Sequence, residues 1–220
     1  MELLAHQKLI HETIDKSSIS AFAAPRQNGK TYAALAYALQ YPGRVLYFGR
    51  GFREAGEAFA AATKLGANRG PGTWHILKTN KSQLSIETSL CGDFGRVNFM
   101  PYGRGSGRGM EADLVILDDA HEVEADVLAE ISPCVLRTGG KIAGFGTIRE
   151  KLLKHLLNIA DGHLRWRSSH DIEEANPALG YLFTMEQVER EKKLLPERIF
   201  ARERMGYDPS RFTTISARTS

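Results

Sequence analysis

Short apolar runs alternate along the chain with segments that favour helix. The four clearest strand candidates among these runs lie at positions 19–23, 45–48, 113–118 and 142–146. Strands of this kind are typical of a parallel sheet that helices cover on both faces. The pattern therefore predicts an α/β domain with a mostly parallel central sheet flanked by helices.

Helices and weaker strands fill much of the remaining chain. Helical spacing and helix-forming residues predict five helices, at positions 3–15, 32–39, 52–64, 123–131 and 151–159. Positions 74–100 are strand-like but interrupted, with the best pieces at 84–88 and 97–100, and a late strand is expected at 164–167. Strands and helices thus alternate, as a sheet covered on both faces requires.

The composition changes after about position 171. Two charged helices are predicted at 184–195 and 196–206, and the last ten residues have few apolar anchors. We therefore expect a core domain at 1–170, a small C-terminal helical lid at 171–210, and the start of a linker at 211–220.

The overall composition excludes several classes of protein. The 220 residues are 42% hydrophobic and 25% charged, which suits one globular domain with at most a small appendage. Without an apolar stretch long enough for a bilayer or a signal pattern near Met1, we expect no membrane partner and no secretion. Two cysteines cannot form a disulfide framework, which indicates a reducing compartment such as the cytoplasm. The net charge is only +3, so contact with nucleic acid needs a local basic patch.

A phosphate-binding loop (P-loop) is the clearest chemical motif. Positions 24–31 read Ala-Pro-Arg-Gln-Asn-Gly-Lys-Thr and lie between a predicted strand and a predicted helix. In this layout backbone N–H groups and the helix N-terminus surround the phosphates, the lysine reaches the β- and γ-phosphates, and the hydroxyl holds Mg²⁺. The candidate nucleotide-binding residues are Arg26, Gln27, Asn28, Gly29, Lys30 and Thr31.

One position departs from the usual loop motif. Ala24 stands where the motif has its first glycine, but Gly29 remains where the backbone must approach the phosphates. The mechanism is therefore kept. The alternative interpretation of Gly29-Lys30-Thr31 is an ordinary strand–turn–helix that binds no ligand.

A second motif ends the strand at 113–118. Asp118 and Asp119 follow an apolar run directly, as in a Walker B strand, and the carboxyl end of such a strand reaches the nucleotide crevice of an α/β sheet. Asp118 would hold Mg²⁺, and Asp119 would orient and activate the attacking water. The alternative is that the paired aspartates cap the helix that follows Glu122.

Two further features lie near these motifs. Glycines alternate between 103 and 109 and predict a flexible loop carrying Arg104 and Arg108, which could deliver a guanidinium to DNA or to ATP on a neighbouring subunit. The alternative is a solvated loop without such a role. Thr147 follows the strand at 142–146 and could sense the γ-phosphate. It could equally cap the next helix, in a capping box with Glu150.

Together these motifs resemble the N-terminal ATPase domain of the large terminase subunit of tailed bacteriophages. The resembling pieces span nearly the whole chain, at positions 26–31, 107–109, 117–122, 146–147, 176–180 and 200–203. Arg-Gln-Asn-Gly-Lys-Thr combined with Asp-Ala-His-Glu and Asn-Pro-Ala-Leu-Gly is more specific than Gly-Lys-Thr alone. The resemblance implies a P-loop NTPase fold of the ASCE/RecA-like class and a motor that drives double-stranded DNA into a procapsid.

The resemblance also implies roles for single residues and for partners. Arg26 is similar to the family's cis-acting arginine, and Gln7 to its adenine-reading glutamine. Asp118 resembles its Mg²⁺ aspartate, Thr147 falls in its coupling motif, and Arg108 resembles an arginine finger donated to the next subunit of a ring. The implied cofactors are ATP and Mg²⁺. The implied partners are double-stranded DNA, neighbouring subunits, the portal and the small terminase subunit, in the host cytoplasm.

Two departures from the family's pattern leave alternatives open. Asp119 stands where the family usually has glutamate, and a misplacement of about 1 Å can cost roughly 100-fold in rate, unless the loop sits closer or Glu122 helps. The family's protein continues into an RNase H-like nuclease, so we expect no nuclease activity from these 220 residues. The alternatives to a motor are a helicase-like ATPase, a P-loop small-molecule kinase, and a nucleotide-binding assembly module with little hydrolysis.

No motif defines the surface that would contact DNA. Five scattered basic residues are candidates, namely Arg50, Arg53, Lys64, Arg69 and Lys78. The alternative is that these side chains are simply solvated.

Overall fold

One sheet of eight strands runs through the part of the chain that the structure describes. The computed structural model describes residues 2–67, 74–103, 105–147 and 151–207. The strands are β1 (Ile19–Ala23), β2 (Gly43–Gly49), β3 (Trp74–Asn80), β4 (Ser85–Leu90), β5 (Asp93–Pro101), β6 (Leu114–Leu117), β7 (Lys141–Gly146) and β8 (Gly162–Arg165). Their order across the sheet is β3-β4-β5-β2-β6-β7-β1-β8.

Most of this sheet is parallel, as predicted. Every pairing from β5 across to β8 is parallel, whereas β3, β4 and β5 pair antiparallel at one end. The strand β1 lies between β7 and β8, and β7 separates it from β6. Because parallel strands end at one edge, the segments that follow β1, β6 and β7 come together there.

Helices flank the sheet. They are α1 (Ala5–Lys16), α2 (Lys30–Gln40), α3 (Phe52–Ala67), α4 (Leu128–Ile131), α5 (Pro133–Leu136), α6 (Leu152–Ile159), α7 (Ile172–Ala175), α8 (Met185–Leu194) and α9 (Glu197–Met205). Four of the five helices expected before position 160 are confirmed, with ends that differ by a few residues, as α1, α2, α3 and α6. None of the helices in the described ranges combines the length and the apolar composition that crossing a membrane demands.

Successive residues of the central strands pack on opposite faces of the sheet. Phe22, Tyr47 and Ile116 belong to an apolar core shared with α1, α2 and α3. Their neighbours Phe48 and Leu117 belong to a second core, shared with α4, α5 and α6. Fully burying a side chain of this size stabilises the fold by about 1.5–3 kcal/mol. Burial on both faces explains why these strands have few polar positions.

The helix predicted at 123–131 is wrong in its first half. The chain makes two short 3₁₀ turns, Ala120–Glu122 and Ala125–Val127, before α4 begins. Val123 is extended between them (φ −115°, ψ 143°), and its carbonyl accepts the N–H of Leu152 at 2.8 Å. This tertiary hydrogen bond uses an acceptor that a continuous helix would need.

The interrupted pattern at 74–100 corresponds to three antiparallel strands. Cys91 (φ 50°) and Gly92 (φ 97°) turn β4 into β5, and two successive positive φ angles characterise the tight hairpin turns whose twist matches the strands. The predicted pieces at 84–88 and 97–100 lie mostly within β4 and β5. The late strand expected at 164–167 is β8, which begins two residues earlier.

A small apolar cluster holds the C-terminal helices together. Ala178, Phe183 and Val188 are buried there, and α8 and α9 confirm the two predicted charged helices. Thr184 caps α8 by accepting the N–H of Gln187. Residues 208–220, which include the predicted linker, lie outside the described ranges. The boundaries at 170 and 210 therefore stay predictions.

Candidate nucleotide site

The loop between β1 and α2 alternates in backbone handedness. Gln27 (φ 58°) and Gly29 (φ 83°) are left-handed, and such alternation points backbone N–H groups into a concavity that binds anions. Ala24 is not among the residues with positive φ, so this position does not require glycine. Sterics also favour glycine at position 29, because a Cβ atom there would lie 2.5 Å from Nε2 of Gln7.

The helix α1 holds the P-loop from one side. Nε2 of His6 lies 2.8 Å from the carbonyl oxygen of Asn28, and Nε2 of Gln7 donates to the carbonyl of Gly29 at 3.3 Å. The other end of the Gln7 carboxamide accepts the N–H of Leu4. Gln7 is 3% exposed and supports the loop in this structure. That it reads adenine stays a prediction.

Lys30 begins α2 with its ammonium group against the loop backbone. Nζ donates to the carbonyls of Ala24 (2.9 Å) and Pro25 (2.7 Å). Burial lowers the pKa of Lys30 to about 8, although the negative charges of Asp118 and Asp119 oppose this shift. The lysine therefore lies in a poorly solvated site where an anionic ligand would stabilise its charged form.

Thr31 and Asp118 are the pair suited to a magnesium ion. The Thr31 hydroxyl donates to Oδ2 of Asp118 at 2.9 Å, and Asp118 is 8% exposed at the end of β6. Within the described residues no group of three or more His, Cys, Asp and Glu side chains could hold a metal ion. One hydroxyl and one carboxylate fit Mg²⁺, which is usually bound by one or two carboxylates, waters and substrate phosphates.

Asp119 follows in a left-handed conformation (φ 51°, ψ 32°), which aspartate tolerates better than most residues. Burial, followed by the charge of Asp118, raises its pKa. Asp119 precedes a 3₁₀ turn, but its side chain makes no capping hydrogen bond. The alternative interpretation of this aspartate as a helix cap is therefore wrong.

One cavity of about 490 Å³ joins most of the predicted site residues. Its lining consists of Arg26, Gln27, Asn28, Gly29, Lys30, Thr31, Arg50, Asp119, His121, Glu122, Thr147 and Leu182. Asp118 lies behind Thr31 rather than on the surface of the cavity. The same space is thus bounded by the P-loop, the end of β6, the end of β7 and, through Leu182, the C-terminal segment predicted to be a lid.

Thr147 follows β7 and is 4% exposed. Its hydroxyl is buried without a hydrogen-bond partner among the described residues, which suits a group that meets a ligand. The helix-cap interpretation of Thr147 is wrong, because α6 begins at Leu152 with Lys151 at its N-cap position. Glu150, the proposed capping partner, lies outside the described residues.

The lid contacts the P-loop directly. The N–H of Arg26 donates to the carbonyl of Glu203 (2.9 Å), and Nε of Arg26 forms an ion pair with the Glu203 carboxylate (2.7 Å). Nδ2 of Asn176 donates to the carbonyl of Arg26 at 2.9 Å, and Asn28 donates to Oδ1 of Asn176 at 3.3 Å. Arg204 donates to Oε1 of Gln27 at 2.8 Å. Three successive loop residues are therefore fixed by the lid.

Arg108 lies away from this cavity. Its guanidinium makes a bidentate ion pair with Glu130, with Nε–Oε2 at 2.7 Å and Nη2–Oε1 at 2.9 Å, and its side chain is 71% exposed. Arg108 lines a separate groove, together with Met110, Pro133 and other residues. Arg104 lies outside the described residues. Arg108 thus does not reach the P-loop of its own chain.

The same fold occurs in known structures. The HK97 bacteriophage large terminase matches 94% of the chain with a TM-score of 0.71 and 17% sequence identity. The fold is that of a large-terminase ATPase domain. The ATPase domain of the Thermus phage P74-26 large terminase matches with a TM-score of 0.67 and 15% identity, and 94% of each chain is covered.

A third large terminase, from a thermophilic bacteriophage, extends the comparison. Its structure in complex with ATP-gamma-S matches 94% of the chain with a TM-score of 0.69 and 10% identity. The same protein is also known in complex with ADP. The chain spans about half the length of the HK97 terminase and of this third terminase, 51% and 53%. No protein-family model and no curated protein sequence matches the chain significantly.

Within the terminase ATPase fold, sequence reasoning located the P-loop residues, Asp119 and Thr147 but missed other cavity residues. The sequence predicts Arg50 only as a DNA contact, yet it lines the cavity directly after β2. Its position at the carboxyl end of a parallel strand, which also marks Asp118, was the signal that could have identified it. His121 belongs to the Asp-Ala-His-Glu motif, whereas Leu182 carries no comparable signal in the sequence.

Proposed function

We propose that this chain is the ATPase motor domain of a phage large terminase, which couples ATP hydrolysis to the movement of double-stranded DNA into a procapsid. The observation that carries the proposal is the single cavity where the P-loop, Asp119 and Thr147 meet. The terminase ATPase fold around it supports the choice of motor among the classes of P-loop ATPase.

The site would supply cationic groups for the phosphates, and carboxylates for the magnesium ion and for the attacking water. Lys30, Arg26 and the N-terminus of α2 would bind the phosphates, and Thr31 with Asp118 would hold Mg²⁺. The ion would neutralise charge that develops on the phosphate oxygens. Asp119 would accept a proton from the attacking water, and its raised pKa brings this base nearer to neutral pH, where general bases are most effective.

The length of Asp119 favours a second candidate, a nucleotide-binding assembly module that hydrolyses slowly. An aspartate reaches less far than a glutamate, and small misplacements at a reacting centre are costly. Glu122 lines the same cavity three residues later and would supply a longer carboxylate if Asp119 falls short. The two candidates differ in turnover, since both require nucleotide binding.

The decisive measurement is the rate of ATP hydrolysis against protein concentration, with and without double-stranded DNA. For a motor, we expect the specific rate to rise with concentration and with DNA, because assembly brings in groups from a neighbour. The Lys30→Ala variant is the matched control and should show no turnover in any condition. A specific rate that changes neither with protein concentration nor with DNA would contradict the proposal of a motor.

A further inference from the structure

Asp118 is held by a tyrosine as well as by Thr31. The hydroxyl of Tyr47 donates to Oδ2 of Asp118 at 2.6 Å, the same oxygen that accepts the Thr31 hydroxyl. Oδ1 of Asp118 accepts the N–H of Asp119 at 3.0 Å. Tyr47 is fully buried in β2, which is the strand paired with β6. The carboxylate is therefore fixed through both of its oxygens.

A second tyrosine holds the backbone of the same aspartate. The hydroxyl of Tyr102 donates to the carbonyl oxygen of Asp118 at 2.9 Å. Tyr102 is itself fixed, because its ring stacks on Phe48 (5.7 Å between centroids) and its N–H donates to the carbonyl of Gly49. Tyr102 also directly precedes the glycine-rich segment that carries Arg108. The end of β6 is thus bound to the end of β2 and to the start of that segment.

We infer that Tyr47 and Tyr102 are positioning residues that hold Asp118 in the orientation needed to bind Mg²⁺ beside Thr31. The inference rests on the proposed nucleotide function of this cavity. Neither tyrosine lines the cavity as the described residues define it, so both act through Asp118. Partners of this kind orient a metal ligand, and their loss typically costs about 10–100-fold in metal affinity or activity.

The geometry gives both hydroxyls the role of donors to Asp118. Burial, followed by the charge of Asp118, raises the pKa of Tyr47 and of Tyr102 well above the ordinary value for tyrosine. Each phenol is thus placed as a donor, Tyr47 to the carboxylate and Tyr102 to the backbone carbonyl of Asp118. A donor to Oδ2 turns the carboxylate toward Thr31, because rotation away would break two hydrogen bonds to that oxygen.

The test is Tyr47→Phe, which removes the hydroxyl and keeps the buried ring. Tyr37→Phe is the matched control, because Tyr37 donates to Oδ1 of Asp15 at the same 2.6 Å but belongs to the α1–α2 contact. Binding of ADP is measured by calorimetry with Mg²⁺ and with EDTA, and ATP hydrolysis is measured against Mg²⁺ concentration.

For Tyr47→Phe we expect the Mg²⁺ concentration at half-maximal turnover to rise about tenfold. Affinity for ADP in EDTA should stay at the wild-type value, and affinity for ADP with Mg²⁺ should fall. Tyr37→Phe should match the wild type in all three measurements. Tyr102→Phe should shift the Mg²⁺ dependence in the same direction by less, and it carries the test alone if Tyr47→Phe does not fold.

Wild-type Mg²⁺ dependence in the folded tyrosine variants would overturn the inference. So would an equal loss of ADP affinity with and without Mg²⁺, since the effect would then not pass through the metal ligand. Failure of the wild-type protein to bind ADP would overturn the proposed function itself. The two failures are therefore distinguishable.

Discussion

Lys30 is subject to two opposing influences at the scale of a single residue. Burial disfavours its charge, whereas the nearby carboxylates favour it, and the balance leaves its pKa at about 8. The shift is downward, so the ammonium group is charged below this pH and becomes neutral as the pH rises through it. A bound polyphosphate would stabilise the charged form and raise the pKa again, so that binding takes up a proton above pH 8.

This charge predicts that nucleotide affinity depends on pH. Between pH 7 and pH 9 the affinity for ADP should weaken about tenfold, because near pH 9 most of the free protein carries neutral Lys30. The phosphates contribute little to the change, since their second pKa is about 6. Calorimetry across this range is the measurement. Lys30→Ala should bind weakly and without this pH dependence, and a flat profile for the wild type would contradict the assignment.

The short side chain of Asp119 leads to a prediction about the rate of ATP hydrolysis. Asp119→Glu introduces the longer carboxylate that is usual among large terminases and should preserve or raise the rate of ATP hydrolysis. Asp119→Asn keeps the shape but removes the base, so it should lower the rate by about 10²–10⁴. Steady-state turnover of the three proteins is the measurement. If Asp119→Glu is as inactive as Asp119→Asn, the base does not lie at this position.

Residues whose role follows from chain order could be predicted, and residues whose role follows from tertiary contact could not. Lys30 and Thr31 stand at fixed positions after a glycine, and Asp118 ends an apolar strand, so local sequence located them. Tyr47 looks like an ordinary apolar strand residue, because only the pairing of β2 with β6 brings its hydroxyl to Asp118. His6 supports the loop for the same kind of reason.

At the scale of elements, the lid and the P-loop form one hydrogen-bonded unit. Asn176 has no exposed surface and bridges Arg26 and Asn28. Glu203 joins Arg26 from α9. A phosphate that drew Arg26 away would compete with this carboxylate, so the proposed nucleotide binding would be linked to the position of α9.

Removing the amide bridge should loosen that unit. Asn176→Ala leaves the buried Nδ2 group of Asn28 without this acceptor, which costs about 1–3 kcal/mol. We expect a melting temperature lower by several degrees and a higher KM for ATP. Arg190→Ala is the control on the same lid, because its exposed ion pair with Glu186 contributes little. Equal melting temperatures and equal KM values for the two variants would contradict this role.

Periodicity predicted most elements correctly, and its failure has a physical cause. The strands β1, β2, β6 and β7 are buried on both faces, so their apolar runs stand out. The segment 123–131 has apolar residues that suit a helix, but it is broken where Val123 bonds to Leu152. Because Leu152 lies on α6, the local sequence pattern around Val123 does not predict this hydrogen bond.

At the scale of the whole molecule, Arg108 is the residue whose proposed role would differ between a lone subunit and an assembly. It is exposed, paired with Glu130, and absent from the nucleotide cavity of its own chain as far as the described residues define it. If Arg108 completes the site of a neighbouring subunit, only assembled protein should depend on it. The resemblance to terminases suggested this role, and the distance from the chain's own cavity is compatible with it.

Arg108→Ala should therefore lower turnover only where subunits assemble. An arginine finger contributes about 10³–10⁵ in rate, so we expect a loss of at least 100-fold in the concentrated, DNA-stimulated protein and unchanged ADP binding. Arg190→Ala is the control, because the Arg190 side chain is similarly exposed and pairs with Glu186. Turnover against protein concentration separates the two variants. An equal fractional loss at every concentration would contradict donation between subunits.

The order of strands in the sheet has a consequence for folding during synthesis. Ile19 in β1 pairs with Ile142 in β7, so about 120 residues must be synthesised before that partner exists. At typical speeds of about 5–20 residues per second, the earliest strand waits roughly ten seconds on the ribosome with both edges unpaired. The nucleotide loop is thus encoded early and completed late, and a half-made chain has no means of binding ATP through it.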